Sequence, residues 1–150
     1  MHAIILKCEI CTGYRTNITG NLGKGRQRIF MSKAVKFHGQ GYNCAESIIK
    51  AFNEEHQLDI PVGIASPFGG GMAVGATCGA ITGAIMAVGA VYGRADAAEQ
   101  NESRQYARVI MNKVQEKYGT YECIALKKQC VSCDEIIAYT YQLLNENVTA

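Results

Sequence analysis

Apolar residues recur every three or four positions along most of the chain after residue 31, which is the period of a helix packed against a core. The predicted helices cover residues 32–38, 43–56, 77–92, 96–118, a short stretch from 120, and a last stretch from 132. A capping residue, glycine or proline stands at most of their ends. No segment alternates polar and apolar residues as a half-buried strand does. The pattern therefore predicts an all-α, single-domain bundle of about five or six helices by this counting.

The uncharged stretch from residue 60 to residue 93 raises the question of a membrane span. It is longer than the roughly 20 apolar residues that a span requires. However, it holds repeated glycines and Pro67, and few large aliphatic residues come before Ile81. Gly79 and Gly83 are four residues apart, a spacing that lets another backbone approach closely. We therefore expect a central Gly/Ala-rich helix of a bundle, and no membrane partner.

The composition fits one folded domain and disfavours a nucleic-acid partner. The 150 residues are 48% hydrophobic and 19% charged, which is ordinary for a protein with its own core. Residues 1–30 carry five basic residues and one acidic residue, a net charge of +4. The remainder carries ten basic and twelve acidic residues, a net charge of −2. Because this part shows no basic stripe interleaved with aromatic residues, we expect no nucleic-acid binding.

Residues 1–30 differ in pattern from the rest of the chain. They show no helical period, and a basic stretch, KGRQR, ends just before Met31. We expect them to be a disordered or mis-annotated N-terminal extension, with Met31 as the true start of a domain over residues 31–150. The opening run MHAIIL is too short for the apolar part of a signal peptide. We therefore expect a cytoplasmic protein, in which cysteines more often bind metal or carry redox chemistry than form structural disulfides.

Four of the seven cysteines stand in the first turn of a predicted helix. They lie in the runs NCAE, TCGA, TYEC and SCDE (Cys44, Cys78, Cys123 and Cys133), after residues that commonly cap helices. In NCAE and SCDE a glutamate three places after the cap completes a capping box. Unpaired N–H groups and the positive end of the helix dipole lower the pKa of a thiol there. The pattern predicts thiolate chemistry, and four thiolates are the usual ligand set of an iron–sulfur cluster.

The run CGAITG, which begins at Cys78, resembles the signature of a family named for the pattern C_GCAxxG_C_C, whose members are suspected to be redox-active. The runs GYNCAES, FGGGMAVGATCGA, YGTYEC and CDEII extend the resemblance over about residues 31–147. It implies a small helical protein in which Cys44, Cys78, Cys123 and Cys133 hold an iron–sulfur or related metal centre. The implied role is electron transfer or redox sensing with an unknown redox partner protein, and we also consider a homodimer.

The residues alone leave two alternatives open. Cys130 and Cys133 form a Cys-x-x-Cys pair, which predicts either a metal-free thiol–disulfide oxidoreductase with Cys133 as nucleophile or an additional metal ligand at Cys130. Four cysteines can also close a structural zinc site that has no redox role. Cys8 and Cys11 form another Cys-x-x-Cys pair, but they lie where no element is predicted, and we expect no function there.

Overall fold

The computed structural model describes residues 32–148, which form six α-helices. In chain order these are α1 (Lys33–Gly39), α2 (Cys44–His56), α3 (Gly79–Tyr92), α4 (Ser103–Tyr118), α5 (Cys123–Lys128) and α6 (Cys133–Asn147). A 3₁₀ helix over Val62–Phe68 and a π-helical turn over Gly71–Gly75 join α2 to α3. Within these residues there is no strand, only an isolated antiparallel bridge between Thr77 and Glu122. The all-α prediction is confirmed, whereas the expectations for the N-terminal extension fall outside the described residues.

Helix α3 lies at the centre of the bundle, in contact with α2, α4 and α6. Its inward residues are small or branched and fully buried, among them Ala80, Ile81 and Val88. A Cβ added to Gly83 would lie 2.8 Å from the carbonyl oxygen of Ala45, so glycine is what lets α2 approach this closely. The predicted central Gly/Ala-rich helix is therefore confirmed. Across residues 32–148, no helix is both long enough and apolar enough to cross a membrane.

Helices α2 and α6 each bury one face against the core, as the helical period of their apolar residues predicts. The fully or nearly fully buried residues are Ala45, Ile48, Ile49 and Phe52 in α2, and Ile136, Ile137, Thr140, Leu143 and Leu144 in α6. Each buried aliphatic or aromatic side chain of this size contributes about 1.5–3 kcal/mol to folding. Helix α4 buries only a narrow stripe, formed by Ile110 and Val114.

Two helices begin later than the sequence predicts. Helix α4 begins at Ser103, and the segment from Asp96 to Glu99 forms a separate turn in which the Glu99 carboxylate accepts the backbone N–H of Asp96 at 3.4 Å. Residues 95–102 contain no large apolar side chain that could pack on the core, so the capped turn does not continue as a helix. Helix α5 likewise begins at Cys123, three residues after Thr120.

Residues 61–76, called the strap below, connect α2 to α3 and pass over the start of α2. Asn43 Nδ2 donates to the carbonyl oxygen of Ser66 at 3.1 Å, and Ser66 Oγ donates to Glu46 Oε1 at 2.5 Å. A Cβ on Gly69 would lie 2.8 Å from the side chain of Asn43, so the strap packs directly on the N-cap of α2. The first half of the strap is therefore fixed to the start of α2.

The second half of the strap contains a left-handed turn. Gly70, Gly71, Met72 and Ala73 have φ values of 64°, 70°, 54° and 62°. Glycine adopts this conformation readily, but a residue with a Cβ does so at a cost of roughly 1–2 kcal/mol. The turn is closed by a hydrogen bond from the Ala76 N–H to the Gly71 carbonyl at 3.0 Å. Met72 and Ala73 are therefore held in strained backbone beside the start of α3.

Candidate metal and redox site

Each of the four motif cysteines lies at the start of a different helix. Cys44, Cys123 and Cys133 are the first residues of α2, α5 and α6, and Cys78 is the N-cap residue of α3. Cys78 thus takes the capping position that the sequence assigns to Thr77, and its side chain makes no capping hydrogen bond. The predicted placement of the four cysteines at helix starts is confirmed, and all four thiols are free.

Capping side chains fix the helix starts that carry Cys44 and Cys133. At α2 the capping box is complete, because Asn43 Oδ1 accepts the N–H of Glu46 at 3.0 Å and Glu46 Oε2 accepts the N–H of Asn43 at 2.8 Å. At α6 only half of the predicted box forms. Ser132 Oγ accepts the N–H of Glu135 at 3.1 Å, but the Glu135 carboxylate accepts a hydrogen bond from the Tyr118 hydroxyl at 3.2 Å. Glu46 therefore has a structural role at α2, and Glu135 ties α6 to α4.

Cys44 and Cys78 are both buried, and their thiols lie near enough to influence each other's titration. The Cys78 thiol, as a hydrogen-bond donor, is the largest influence on Cys44 and lowers its pKa to about 6. Burial opposes this shift, and backbone N–H groups of Gly70, Ala45 and Cys44 itself reinforce it. The same interaction raises the pKa of Cys78 above its ordinary value, and burial adds to the rise. The pair therefore gives up one proton easily and retains the second.

Glycine at position 79 makes this close approach possible. A Cβ added to Gly79 would overlap the Cys44 sulfur and would lie 2.6 Å from the carbonyl oxygen of Phe68. The Cys44 side chain therefore occupies the space beside the first residue of α3, directly below the strap. The sequence predicts that another group approaches the backbone closely at Gly79. In the structure this group is the side chain of Cys44.

Backbone hydrogen bonds hold Cys78 and Cys123 side by side. The Cys78 N–H donates to the Tyr121 carbonyl at 2.9 Å, and the Cys123 N–H donates to the Ala76 carbonyl at 2.7 Å. These bonds belong to the short antiparallel bridge between the end of the strap and the start of α5. A Cβ on Gly71 would lie 2.7 Å from Cys123 Cβ, so the left-handed turn packs against the same cysteine. The strap therefore contacts Cys123 as well as the start of α2.

Cys133 completes the group from the side of α6, where it is partly exposed. Burial raises the pKa of its thiol, and the negative charge of Cys44 raises it further, whereas Lys127 opposes the rise. The general expectation of a lowered pKa at each helix start is therefore wrong for Cys78 and Cys133, because burial and neighbouring thiols outweigh the helix dipole. Beside Cys133, Asp134 is hydrogen-bonded to His38 Nδ1 at 2.7 Å, which ties α6 to the end of α1.

The four sulfurs are within electrostatic reach of one another but are not arranged as ligands. Cys78 is influenced by the charges of Cys44 and Cys123, and Cys133 by the same two residues. Among residues 32–148, no three His, Cys, Asp or Glu side chains lie close enough together to hold a metal ion. The fold therefore brings the predicted donor atoms to one end of the bundle, without placing three of them at ligating separation.

Cys130 is the fifth cysteine among residues 32–148. Cys130 is exposed and has a left-handed φ of 60° just after the end of α5. Because Cys133 is a free thiol, the two members of that Cys-x-x-Cys pair are not bonded to each other. Cys8 and Cys11 lie outside the described residues.

Exposed apolar side chains border the site, and sequence reasoning did not single them out. Val74, Ile124 and Met72 are exposed by 79%, 50% and 39%. A Cβ on Gly75 would lie 3.2 Å from Ile124 Cβ, so the strap and α5 meet here and form one apolar edge next to Cys123. The three consecutive glycines at 69–71 are the signal that could have indicated a backbone packed tightly on the cysteines.

Comparison with known proteins shows the family of the chain. Residues 42–147 match the family described as "Putative redox-active protein (C_GCAxxG_C_C)". Searches of curated proteins and of solved structures found no match. The matched range begins two residues before Cys44, ends with α6, and contains all four cysteines gathered at the helix starts. The chain therefore belongs to this C_GCAxxG_C_C family.

Proposed function

We propose that Cys44, Cys78, Cys123 and Cys133 bind an iron–sulfur cluster, which the protein uses for electron transfer or redox sensing. The observation that carries this proposal is that four free cysteines, each at the start of a different helix, lie within electrostatic reach of one another. No other group of soft donor atoms in the described chain is gathered in this way. Thiolates are the ligands that iron–sulfur clusters require, and four is their usual number.

The surroundings of the cysteines are suited to such a group. Backbone N–H groups of Gly70, Ala45 and Cys44 are directed at the Cys44 sulfur, and that of Ala80 at the Cys78 sulfur. N–H donors of this kind stabilise negative charge on ligating sulfur, and they set the potential at which a bound cluster exchanges an electron. Since no three thiols lie at ligating separation here, the proposal requires the helix starts and the strap to draw together during assembly.

Iron analysis after anaerobic purification tests the proposal directly. We expect a brown protein with iron and acid-labile sulfide, and loss of visible absorption when any one of the four cysteines is changed to serine. Cys130→Ser is the matched control, because Cys130 is exposed and outside the group, and this variant is expected to keep the colour. A colourless protein that takes up no iron on anaerobic reconstitution would overturn the proposal.

The same sample separates iron from the zinc alternative. Zinc at one equivalent with no iron or sulfide would indicate a structural Cys₄ site.

We further propose that a redox partner protein approaches the edge formed by Met72, Val74 and Ile124, because these exposed apolar side chains lie beside Cys123. Replacing Val74 by Ser is then expected to slow electron exchange with the partner while leaving iron content unchanged.

A further inference from the structure

We propose that residues 70–75 of the strap, called the lid below, open and close over Cys123 and control access to the buried cysteines. Cys44, Cys78 and Cys123 are exposed by only 7%, 4% and 6%. A metal ion or a thiol reagent therefore reaches them only when part of the chain moves aside. The inference concerns access to the thiols, and only its extension to metal uptake rests on the proposed function.

The lid lies directly on the first turn of α5. Gly71 is buried, and a Cβ added to it would lie 2.7 Å from Cys123 Cβ, so there is no room for a side chain between the lid and this cysteine. At the other end of the lid, a Cβ on Gly75 would lie 3.2 Å from the Cβ of Ile124, the second residue of α5. The lid backbone itself therefore covers Cys123, and its displacement exposes that side chain.

The chain on both sides of the lid is held in place. Before the lid, Asn43 Nδ2 donates to the carbonyl oxygen of Ser66 at 3.1 Å, which fixes the strap to the start of α2. After the lid, the Cys123 N–H donates to the carbonyl oxygen of Ala76 at 2.7 Å, which fixes the strap to the start of α5. Movement is therefore confined to the segment between these two attachments, and glycines stand at both of its ends.

The closed lid has little that favours it over an open one. Met72 and Ala73 have positive φ values, a conformation that is unfavourable for residues with a Cβ. Both residues and Val74 are exposed, so Gly71 is the one buried residue of the turn. Opening relieves the backbone strain and uncovers little apolar surface. A segment of this kind belongs to the least stable part of a fold, where local opening is frequent.

The helices that carry the cysteines are less suited to moving aside. Helix α3 has Ile81 and Val88 fully buried, and α2 has Ile48 and Phe52 fully buried against the same core. Separating these helices would expose large apolar side chains to water, which is unfavourable in proportion to the area uncovered. Opening of the lid is therefore the route to the thiols that disturbs the core least.

Hydrogen exchange at single backbone amides, followed by NMR, tests the lid in the unchanged full chain after removal of metal with a chelator. The Ala76 N–H donates across the lid to the Gly71 carbonyl at 3.0 Å. The N–H groups of Cys78 and Cys123 are hydrogen-bonded outside the lid. After correction for intrinsic rates, we expect the Ala76 amide to exchange roughly tenfold faster or more than these two. Equal protection of the three amides would overturn the inference.

Alkylation of Cys123 by N-ethylmaleimide, followed by mass spectrometry of its peptide, measures the open population when the lid recloses faster than the reagent reacts. Ala73→Gly removes strain from the closed lid, so we expect Cys123 to react roughly two- to fivefold more slowly. Gly89→Ala is the matched control, because it stabilises α3 at an exposed position where a Cβ meets no atom within 4 Å. We expect this variant to leave the rate unchanged.

Gly71→Ala changes the same rate in the opposite direction. The added Cβ would collide with Cys123 Cβ, so the closed lid is disfavoured and Cys123 should react roughly tenfold faster. Two results would overturn the inference. One is that Ala73→Gly leaves the rate unchanged. The other is that Ala73→Gly and Gly89→Ala slow the reaction equally, because the thiol would then be reached by unfolding of the whole domain.

The extension to metal uptake is measured by following iron binding over time during anaerobic reconstitution. If iron enters through the open lid, Ala73→Gly should slow uptake by the same factor as alkylation and leave the final iron content unchanged. An unchanged rate of uptake would overturn this extension. A protein that takes up no iron at all contradicts the proposed cluster, whereas hydrogen exchange and alkylation still decide the inference about the lid.

Discussion

Replacing Gly79 with Ala is the sharpest test of how the cysteine site is packed. A Cβ at this position would overlap the Cys44 sulfur and would lie 2.6 Å from the Phe68 carbonyl oxygen. The sulfur belongs to a buried side chain, and the carbonyl belongs to the backbone of the strap. Both neighbours must shift before a methyl group fits, so the substitution overpacks the junction of α2, α3 and the strap.

The expected cost follows from the size of this overlap. Inserting one carbon into a well-packed interior typically costs about 1–3 kcal/mol. The higher helix propensity of Ala offsets at most about 1 kcal/mol, and less at the first residue of a helix than in its interior. We therefore expect Gly79→Ala to lower the free energy of unfolding by about 1–2 kcal/mol.

Gly89→Ala is the matched control in the same helix. Gly89 is exposed, and a Cβ added there meets no atom within 4 Å. The same substitution should therefore raise the free energy of unfolding by about 0.5–1 kcal/mol, because Gly lowers helix stability by this amount relative to Ala. The two variants change one carbon each, and they are expected to have effects of opposite sign.

Urea unfolding of the reduced, chelator-treated proteins, followed by far-UV circular dichroism, measures both free energies. The expected gap between the two variants is about 1.5–3 kcal/mol, which is above the error of linear extrapolation for a small domain. If Gly79→Ala proves as stable as the unchanged protein while Gly89→Ala gains stability, the Cys44 sulfur does not occupy the space beside Gly79. The described packing of the site would then be wrong.

Three further predictions follow from the described residues. In the chelator-treated protein, alkylation of Cys44 should reach half its maximal rate near pH 6, and Cys78→Ala should move this midpoint upward. The Cys44 thiol in the unfolded chain keeps its proton up to a pKa of about 8.5. The free energy of unfolding should therefore rise between pH 6 and pH 8.5, by at most about 1.4 kcal/mol per pH unit, and this gain should be absent below pH 6. A free energy of unfolding that does not change over this range would contradict the lowered pKa of Cys44. Ala73→Gly should raise the free energy of unfolding by about 0.5–1 kcal/mol, because Ala73 has a φ of 62°, which glycine adopts without the cost that a Cβ brings. A lower free energy of unfolding in urea would show that the turn is not left-handed. Thr140→Val should stabilise the fold by about 1 kcal/mol, since the buried Thr140 hydroxyl has no hydrogen-bond partner among residues 32–148. A clearly lower unfolding temperature would contradict this prediction and indicate that the hydroxyl has a partner.

The sequence predicts the helices well where an apolar stripe and a cap agree. The start of α2 at Cys44 and the start of α6 at Cys133 each combine a capping residue with buried positions three and four apart. The prediction fails at residues 96–102, where the box around Asp96 is present but no apolar face follows it. A cap removes the cost of unpaired N–H groups, but only burial against a neighbour makes a short helix stable.

The sequence by itself determined the all-α class, the central Gly/Ala-rich helix and the four cysteines at helix starts, because each depends on residues that are near one another in the chain. The tertiary structure decided which cysteines meet. It placed Cys44 near Cys78, joined Cys78 to Cys123 through the end of the strap, and left Cys130 exposed. Those contacts depend on how closely α2 approaches α3 at Gly79 and Gly83. They also depend on a left-handed turn that glycine permits but does not by itself specify. The same contacts reverse the pKa expected for Cys78, because a neighbouring sulfur and burial act more strongly there than the helix on which the cysteine lies.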